Sequence, residues 1–130
     1  VPYPSINSDL AVQAHMYICC TSAYPKYGFV KCQTLKPYML VNNPIKRFID
    51  EPSDSTRNPF LRTTRIDCSK VFITEKVNYD DGLLTTIRCD VCQELYNEII
   101  VELKKDEYNI ISIDNDQELI RLNRLITPIR

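Results

Sequence analysis

The strongest constraint on the fold of this chain is a change in the spacing of its apolar residues near residue 90. Before that point, short apolar or alternating segments are separated by turns rich in proline and polar residues, a pattern typical of β-strands. After it, apolar side chains recur three and four residues apart, which predicts an amphipathic helix over 91–105. The residues of this stripe are Cys92, Leu95, Tyr96, Ile99, Ile100 and Leu103. Strands followed by helices predict an α+β domain in which the helices pack on a mostly β part.

Two apolar segments near the N-terminus are separated by a turn. The first, MYICCTS, is a short apolar run that ends in polar residues. The second, FVKCQT, alternates, with Val30, Cys32 and Thr34 on one side of the segment. Between them, AYPKYG contains Pro25 and Gly28, which are residues typical of turns. We therefore expect these segments to form a β-hairpin.

The middle of the chain is punctuated by prolines, and its segments are shorter. YMLVNN and IKRFID are each predicted to be strands. TTRIDCSKVFITEKV is rich in β-branched residues and predicts one bent strand or two short ones. Beyond the predicted helix, YNIIS is expected to be extended.

The predicted helix has a recognisable start. Asp90 is followed three residues later by Gln93, which is an N-terminal capping pattern. Nearer the C-terminus, DQELIRLNRLI predicts a second, shorter helix that stops before Pro128. We expect a single domain over 1–130, mostly β in 1–80 and helical in 90–127.

The net charge of -1 conceals a difference between the two halves of the chain. Residues 1–70 contain nine Lys and Arg against five Asp and Glu, a balance of +4. Residues 71–130 contain seven against twelve, a balance of -5. A basic half is typical of a chain with an anionic partner. Chance scatter of charged residues over a solvated surface explains the difference equally well. The basic residues of the first half also lie among tyrosines and phenylalanines, which suits nucleic acid, although core aromatics and solvated charges are the simpler explanation of this pattern on its own.

The six cysteines favour reduced thiols in a cytoplasmic protein over a disulfide framework, because the chain is long and apolar enough to build a core. Cys89 and Cys92 have the spacing of a metal or redox pair. No second CxxC pair exists in the sequence, so we favour a core thiol at Cys92 beside an incidental Cys89.

Several classes of protein are disfavoured by features that the sequence lacks. Its two glycines form no phosphate-binding loop. No apolar run is long enough to span a bilayer, and no segment has the pattern of a secretory leader. The opening VPYP is typical of a strand already under way, so we expect a few residues to precede it.

The order of these segments resembles the toxin family of MazF and PemK and, more loosely, CcdB. VPYP corresponds to the family's first strand, SINSDLAVQA to its variable loop, HMYICC to its second strand and GFVKCQT to its third. RTTRIDCSKVF resembles a later family segment, and CQELYNEIIVEL its C-terminal helix. The resemblance implies a small SH3-like β-barrel with C-terminal helices packed on it. It also implies a homodimer that cleaves single-stranded RNA without a metal or other cofactor and is inhibited by an antitoxin protein.

The resemblance also indicates the site residues. His15 stands where the family has its catalytic arginine, and Thr34 corresponds to the residue that ends the family's third strand. An imidazole is suited to proton transfer, and Thr34 to donating a hydrogen bond to a phosphoryl oxygen. The residues predicted to bind RNA are Lys31, Lys36, Arg62 and Arg65.

Three alternatives stay open. His15 is the only histidine, and a lone histidine is most often structural. Its presence in place of the arginine is also compatible with a catalytically silent barrel that binds nucleic acid. The third alternative is a scaffold for protein contacts.

For the dimer, the apolar side chains of Tyr38, Met39, Leu40 and Phe48 are the predicted interface.

Overall fold

The computed structural model describes residues 16–23, 26–41, 47–75, 77–79, 90–105, 107–113, 119, 121 and 126–128. The helices are α1 (Tyr38–Val41) and α2 (Gln93–Lys104). The strands are β1 (Met16–Ala23), β2 (Lys26–Thr34), β3 (Phe48–Glu51), β4 (Thr64–Asp67), β5 (Lys70–Thr74), β6 (Val77–Tyr79), β7 (Asn109–Ile113) and β8 (Ile126–Pro128). The predicted α+β class is confirmed.

β2 is the central strand of a six-stranded sheet. One of its edges pairs with β1 in the predicted antiparallel hairpin, from Met16 opposite Cys32 to Ala23 opposite Lys26. Its other edge pairs with β4 near its C-terminal end and with β5 near its N-terminal end. The segment predicted as one bent strand or two short ones is therefore two strands laid along the same neighbour.

A polar turn separates β4 from β5. The Asp67 carboxylate accepts hydrogen bonds from the backbone N–H and the hydroxyl of Ser69, at 2.8 and 2.5 Å. Side chains of this kind compete with strand pairing for backbone donors, so they favour a bend at this point.

The outer strands β3 and β7 make this a mixed sheet. β3 pairs with β4 antiparallel, whereas β7 pairs with β5 parallel. Among the described strands the pairing path is β3-β4-β2-β5-β7 with β1 on β2, and it does not close on itself. β6 and β8 form a separate two-stranded antiparallel sheet.

α2 covers one face of the large sheet because its apolar stripe needs a partner. Leu95, Ile99 and Leu103 are buried against residues from β1, β2, β4 and β5. The Tyr96 hydroxyl donates a hydrogen bond to the Cys20 carbonyl of β1 at 2.9 Å. A second, smaller core consists of Phe72, Val77, Ile113 and Leu119.

Two local predictions are wrong. The segment predicted as a strand at YMLVNN contains the short helix α1, in which only Met39 is buried. α2 begins after Cys92 rather than Asp90, and the Cys92 thiol accepts a hydrogen bond from the Leu95 N–H. A long-range contact explains the second difference, because the Cys92 N–H donates to the Arg57 carbonyl at 2.7 Å. That bond fixes the backbone of Cys92 where the helix starts.

The remaining predictions have mixed outcomes. IKRFID contains β3 and YNIIS contains β7, as expected. In the predicted second helix, the described residues Leu119 and Arg121 are helical, but Ile126 belongs to β8 and the other residues lie outside the described ones. The prediction that 90–127 is helical is therefore wrong at β7 and β8, where pairing with β5 and β6 gives extended backbone. The described part of the chain contains no helix long and apolar enough to cross a membrane.

Candidate nucleic-acid interface

The sheet brings several of the predicted site residues to one end of β2. Thr34, the last residue of β2, is paired with Thr64, the first residue of β4. One residue further on, the Leu35 N–H donates to the Thr63 carbonyl at 2.9 Å, so the two chains stay adjacent beyond the strands. Lys36 directly follows Leu35, and Arg62 directly precedes Thr63. Two segments separated by about thirty residues in sequence therefore meet here.

Thr34, Lys36 and Arg62 are exposed, and we call these three residues the basic edge. The Thr64 hydroxyl donates to the Arg62 carbonyl at 2.9 Å and holds the backbone there. Within the described residues, neither the Lys36 ammonium nor the Arg62 guanidinium forms an ion pair. The basic edge thus presents a hydroxyl beside two cations, a combination that suits an anionic ligand such as a phosphodiester.

Arg65 does not belong to this surface. Its side chain is 2% exposed, and its guanidinium donates to both carboxylate oxygens of Asp50 at 2.8 and 2.9 Å. It also donates to the Met39 carbonyl at 3.1 Å and lies 3.7 Å from the ring centre of Phe48. The hydrogen bonds to Asp50 raise the pKa of Arg65 above its usual value. The predicted RNA contact of Arg65 is therefore replaced by a structural role, because its charge is buried and paired.

Lys31 lies on the opposite face of β2 from Thr34. Its side chain is half-buried near Asp67 and Lys70. Burial lowers the pKa of Lys31, and the Asp67 carboxylate opposes that shift. Residues three apart in a strand point to opposite faces, so the structure does not bring Lys31 together with the basic edge.

His15 lies outside the described residues. Met16, which follows it in the sequence, is paired with Cys32, two residues before Thr34. β1 therefore begins beside the end of β2 that carries the basic edge.

Arg57 is the centre of a second polar cluster that the sequence patterns do not predict. Its guanidinium contacts three carboxylates, those of Glu51, Glu94 and Glu98, at 2.9, 3.4 and 3.3 Å. The hydrogen bond to Glu51 raises the pKa of Arg57 above its usual value. The cluster joins the loop after β3 to α2, and no local sequence pattern indicates contacts of such long range.

The Asn58 amide lies beside this cluster. It donates to Glu51 at 2.7 Å and to the Pro52 carbonyl at 3.0 Å, and it is fully buried. Buried polar side chains that are fully hydrogen-bonded specify a unique local structure.

Four of the five described cysteines pack in or against the main core, whereas Cys19 is exposed. Burial raises the pKa of Cys20 to about 11 and that of Cys68 to about 12, and it also raises the pKa of Cys32. Cys92 is partly buried and packs against the main core, as predicted, while Cys89 lies outside the described residues. The part of the chain that the structure describes contains no group of three or more His, Cys, Asp and Glu side chains that could hold a metal ion.

Comparisons of the chain with protein-family models, with curated proteins and with solved structures found no match.

Proposed function

We propose that this chain is a metal-independent endoribonuclease that binds single-stranded RNA at the basic edge. The observation that carries the proposal is the exposed Thr34 beside the charges of Lys36 and Arg62, neither of which forms an ion pair with a described residue. The order of strands and helix, which resembles that of MazF and PemK, supports it. The proposal includes an SH3-like barrel, a cytoplasmic location, association into a homodimer and inhibition by an antitoxin protein.

The chemistry needs three roles. The ribose 2′-hydroxyl attacks the adjacent phosphorus while its proton passes to a base, and the departing 5′-oxygen receives a proton from an acid. His15 is assigned to proton transfer, because imidazole titrates near neutral pH. Thr34 donates a hydrogen bond to a phosphoryl oxygen. Lys36 and Arg62 balance the negative charge that develops there.

The binding step is tested by fluorescence anisotropy with a labelled single-stranded RNA in EDTA. We expect Lys36→Glu and Arg62→Glu each to weaken binding at least tenfold and to reduce its dependence on salt. Lys104→Glu is the matched control, because Lys104 is an exposed cation on α2. Equal affinities for all three variants would contradict the proposed binding site.

A second candidate function is RNA binding without cleavage. The burial of Arg65 and the position of Lys31 on the opposite face of β2 favour it, because together they leave two of the four predicted cations at the basic edge. His15→Ala discriminates between the two functions. RNA affinity that survives this change, with no cleavage by the unaltered protein at high concentration, would favour the binding module.

A further inference from the structure

An acidic groove lies along the exposed side of α2. It has a volume of about 420 Å³, and its lining combines three glutamates with two apolar residues, Ile49 and Val101, the amide Asn97 and one cation, Lys105. Val101 is 57% exposed although it is an aliphatic residue in the middle of a helix. The acidic residues that line the groove are Glu94, Glu98 and Glu102.

Negative charge exceeds positive charge in this groove. Arg57 is shared by Glu94, Glu98 and the buried Glu51, so one guanidinium faces three carboxylates. Glu102 pairs with Lys105 at 2.9 Å. The groove therefore suits a partner that brings both positive charge and apolar side chains.

An exposed apolar surface lies beside the positively charged basic edge. Tyr38, Leu40, Val41 and Leu61 are 57%, 68%, 91% and 77% exposed, and we call these four residues the apolar tip. The bond from the Arg65 guanidinium to the Met39 carbonyl holds α1 against the start of β4. Leu61 directly precedes Arg62. The apolar tip is thus next to Lys36 and Arg62, and it is the complement of the groove in both polarity and charge.

The apolar tip cannot reach the groove of its own molecule. Arg65 and Ile66 are consecutive in β4, so their side chains point to opposite faces of the sheet. Arg65 holds α1 on one face, whereas Ile66 packs in the core beneath α2 on the other. An occupant of the groove that carries this tip must therefore come from another molecule.

We propose that the apolar tip and basic edge of one copy of this chain dock into the acidic groove of a second copy. The contact is heterologous, because it joins two different surfaces. Each bound copy keeps a free tip at one end and a free groove at the other, so assembly continues head to tail unless the rotation closes a ring. Burial of the exposed leucines and valines supplies affinity, and the opposite charges supply orientation. The inference rests on no step of the RNA chemistry, but a docked copy would compete with RNA for Lys36 and Arg62. It also replaces a two-fold homodimer through Tyr38 and Leu40, because the same side chains cannot form both contacts.

The test uses one variant at each surface and sedimentation velocity over a range of protein concentrations. Val41→Glu places a negative charge in the apolar tip, and Val101→Lys places a positive charge in the acidic groove. Both positions are exposed, so the variants are expected to keep the wild-type melting temperature. Ile110→Lys is the matched control, because Ile110 is 64% exposed on β7 and belongs to neither surface.

We expect the mass of the wild type and of Ile110→Lys to rise with protein concentration and to fall as salt is added. Val41→Glu and Val101→Lys should each remain monomeric when studied alone. An equimolar mixture should form a complex of two chains that does not grow further, because Val41→Glu retains a groove and Val101→Lys retains a tip. Leu61→Glu serves in place of Val41→Glu if that variant fails to fold.

Two results would overturn the inference. One is a wild type that is monomeric at every concentration. The other is a wild type that stops at two chains, with a mixture of the variants that stays monomeric, since a two-fold contact between identical surfaces behaves in that way.

Discussion

Arg62 and Arg65 are three residues apart and have opposite roles. The side chain of Arg62 is exposed at the end of the sheet, whereas Arg65 is buried against Asp50, Phe48 and the Met39 carbonyl. Both arginines fit the predicted basic surface equally well in the sequence. The difference arises from pairing, because β3 places the Asp50 carboxylate opposite Arg65.

Replacement of Arg65 is expected to destabilise the fold. Arg65→Ala removes the donors that satisfy Asp50 and the Met39 carbonyl and leaves a cavity beside Phe48, so we expect a loss of about 3 kcal/mol in the free energy of unfolding. Arg62→Ala should change that free energy by less than about 0.5 kcal/mol. Urea titrations of both variants measure the difference. Equal stabilities would contradict the structural role of Arg65.

α2 is the element that organises the main core, and contacts from distant segments define both of its ends. At its start, Cys92 caps the helix while its own N–H is bonded to the Arg57 carbonyl. At its end, the Arg47 guanidinium donates to the carbonyls of Glu102 and Glu107 at 2.6 and 2.9 Å. A cation at a helix C-terminus also interacts favourably with the helix dipole.

The buried stripe of α2 is expected to contribute most of its stabilisation. Leu95 is fully buried, so Leu95→Ala should cost about 3 kcal/mol through lost burial and the cavity that remains. Val101→Ala, on the exposed side of the same helix, should cost less than about 0.5 kcal/mol. Thermal unfolding of the two variants provides the comparison. A similar melting temperature for both would show that α2 does not pack as described.

The elements that sequence patterns predict are those with a strong local period. The β1–β2 hairpin alternates around a turn, and the stripe of α2 repeats at helical spacing, so both are predictable. α1 is not, because it has four residues and a single buried one, Met39. The same limit applies to the site. The resemblance to MazF and PemK indicates Thr34, Lys36, Arg62 and Arg65 as candidates, but the burial of Arg65 depends on strand pairing that no local pattern encodes.

At the scale of the whole molecule, the buried thiols link stability to alkaline pH. Burial raises the pKa of Cys20 to about 11 and that of Cys68 to about 12, whereas a thiol in an unfolded chain ionises near pH 8.5. Above that pH the unfolded chain loses protons that the folded chain keeps, so the unfolded state is increasingly favoured.

The thiols should therefore leave the melting temperature unchanged between about pH 7 and pH 8.5 and make it fall progressively as the pH rises towards 11. Cys32→Ala should reduce the slope of this fall, because Cys32 is a buried thiol with a raised pKa. Cys19→Ala should leave it unchanged, since Cys19 is exposed. Identical slopes in calorimetry for the wild type and both variants would contradict this link.

The most direct test of the proposed function is cleavage of a long single-stranded RNA in EDTA by the wild type, His15→Ala and Thr34→Val. We expect the wild type to cleave. His15→Ala should be slower by about a hundredfold or more and lose one limb of the pH–rate profile near the pKa of imidazole. Thr34→Val should be slower by about a hundredfold with an unchanged melting temperature, since Thr34 is exposed and its proposed role is to donate to a phosphoryl oxygen. Absence of cleavage by the wild type at high protein concentration, or full activity in both folded variants, would contradict the proposal.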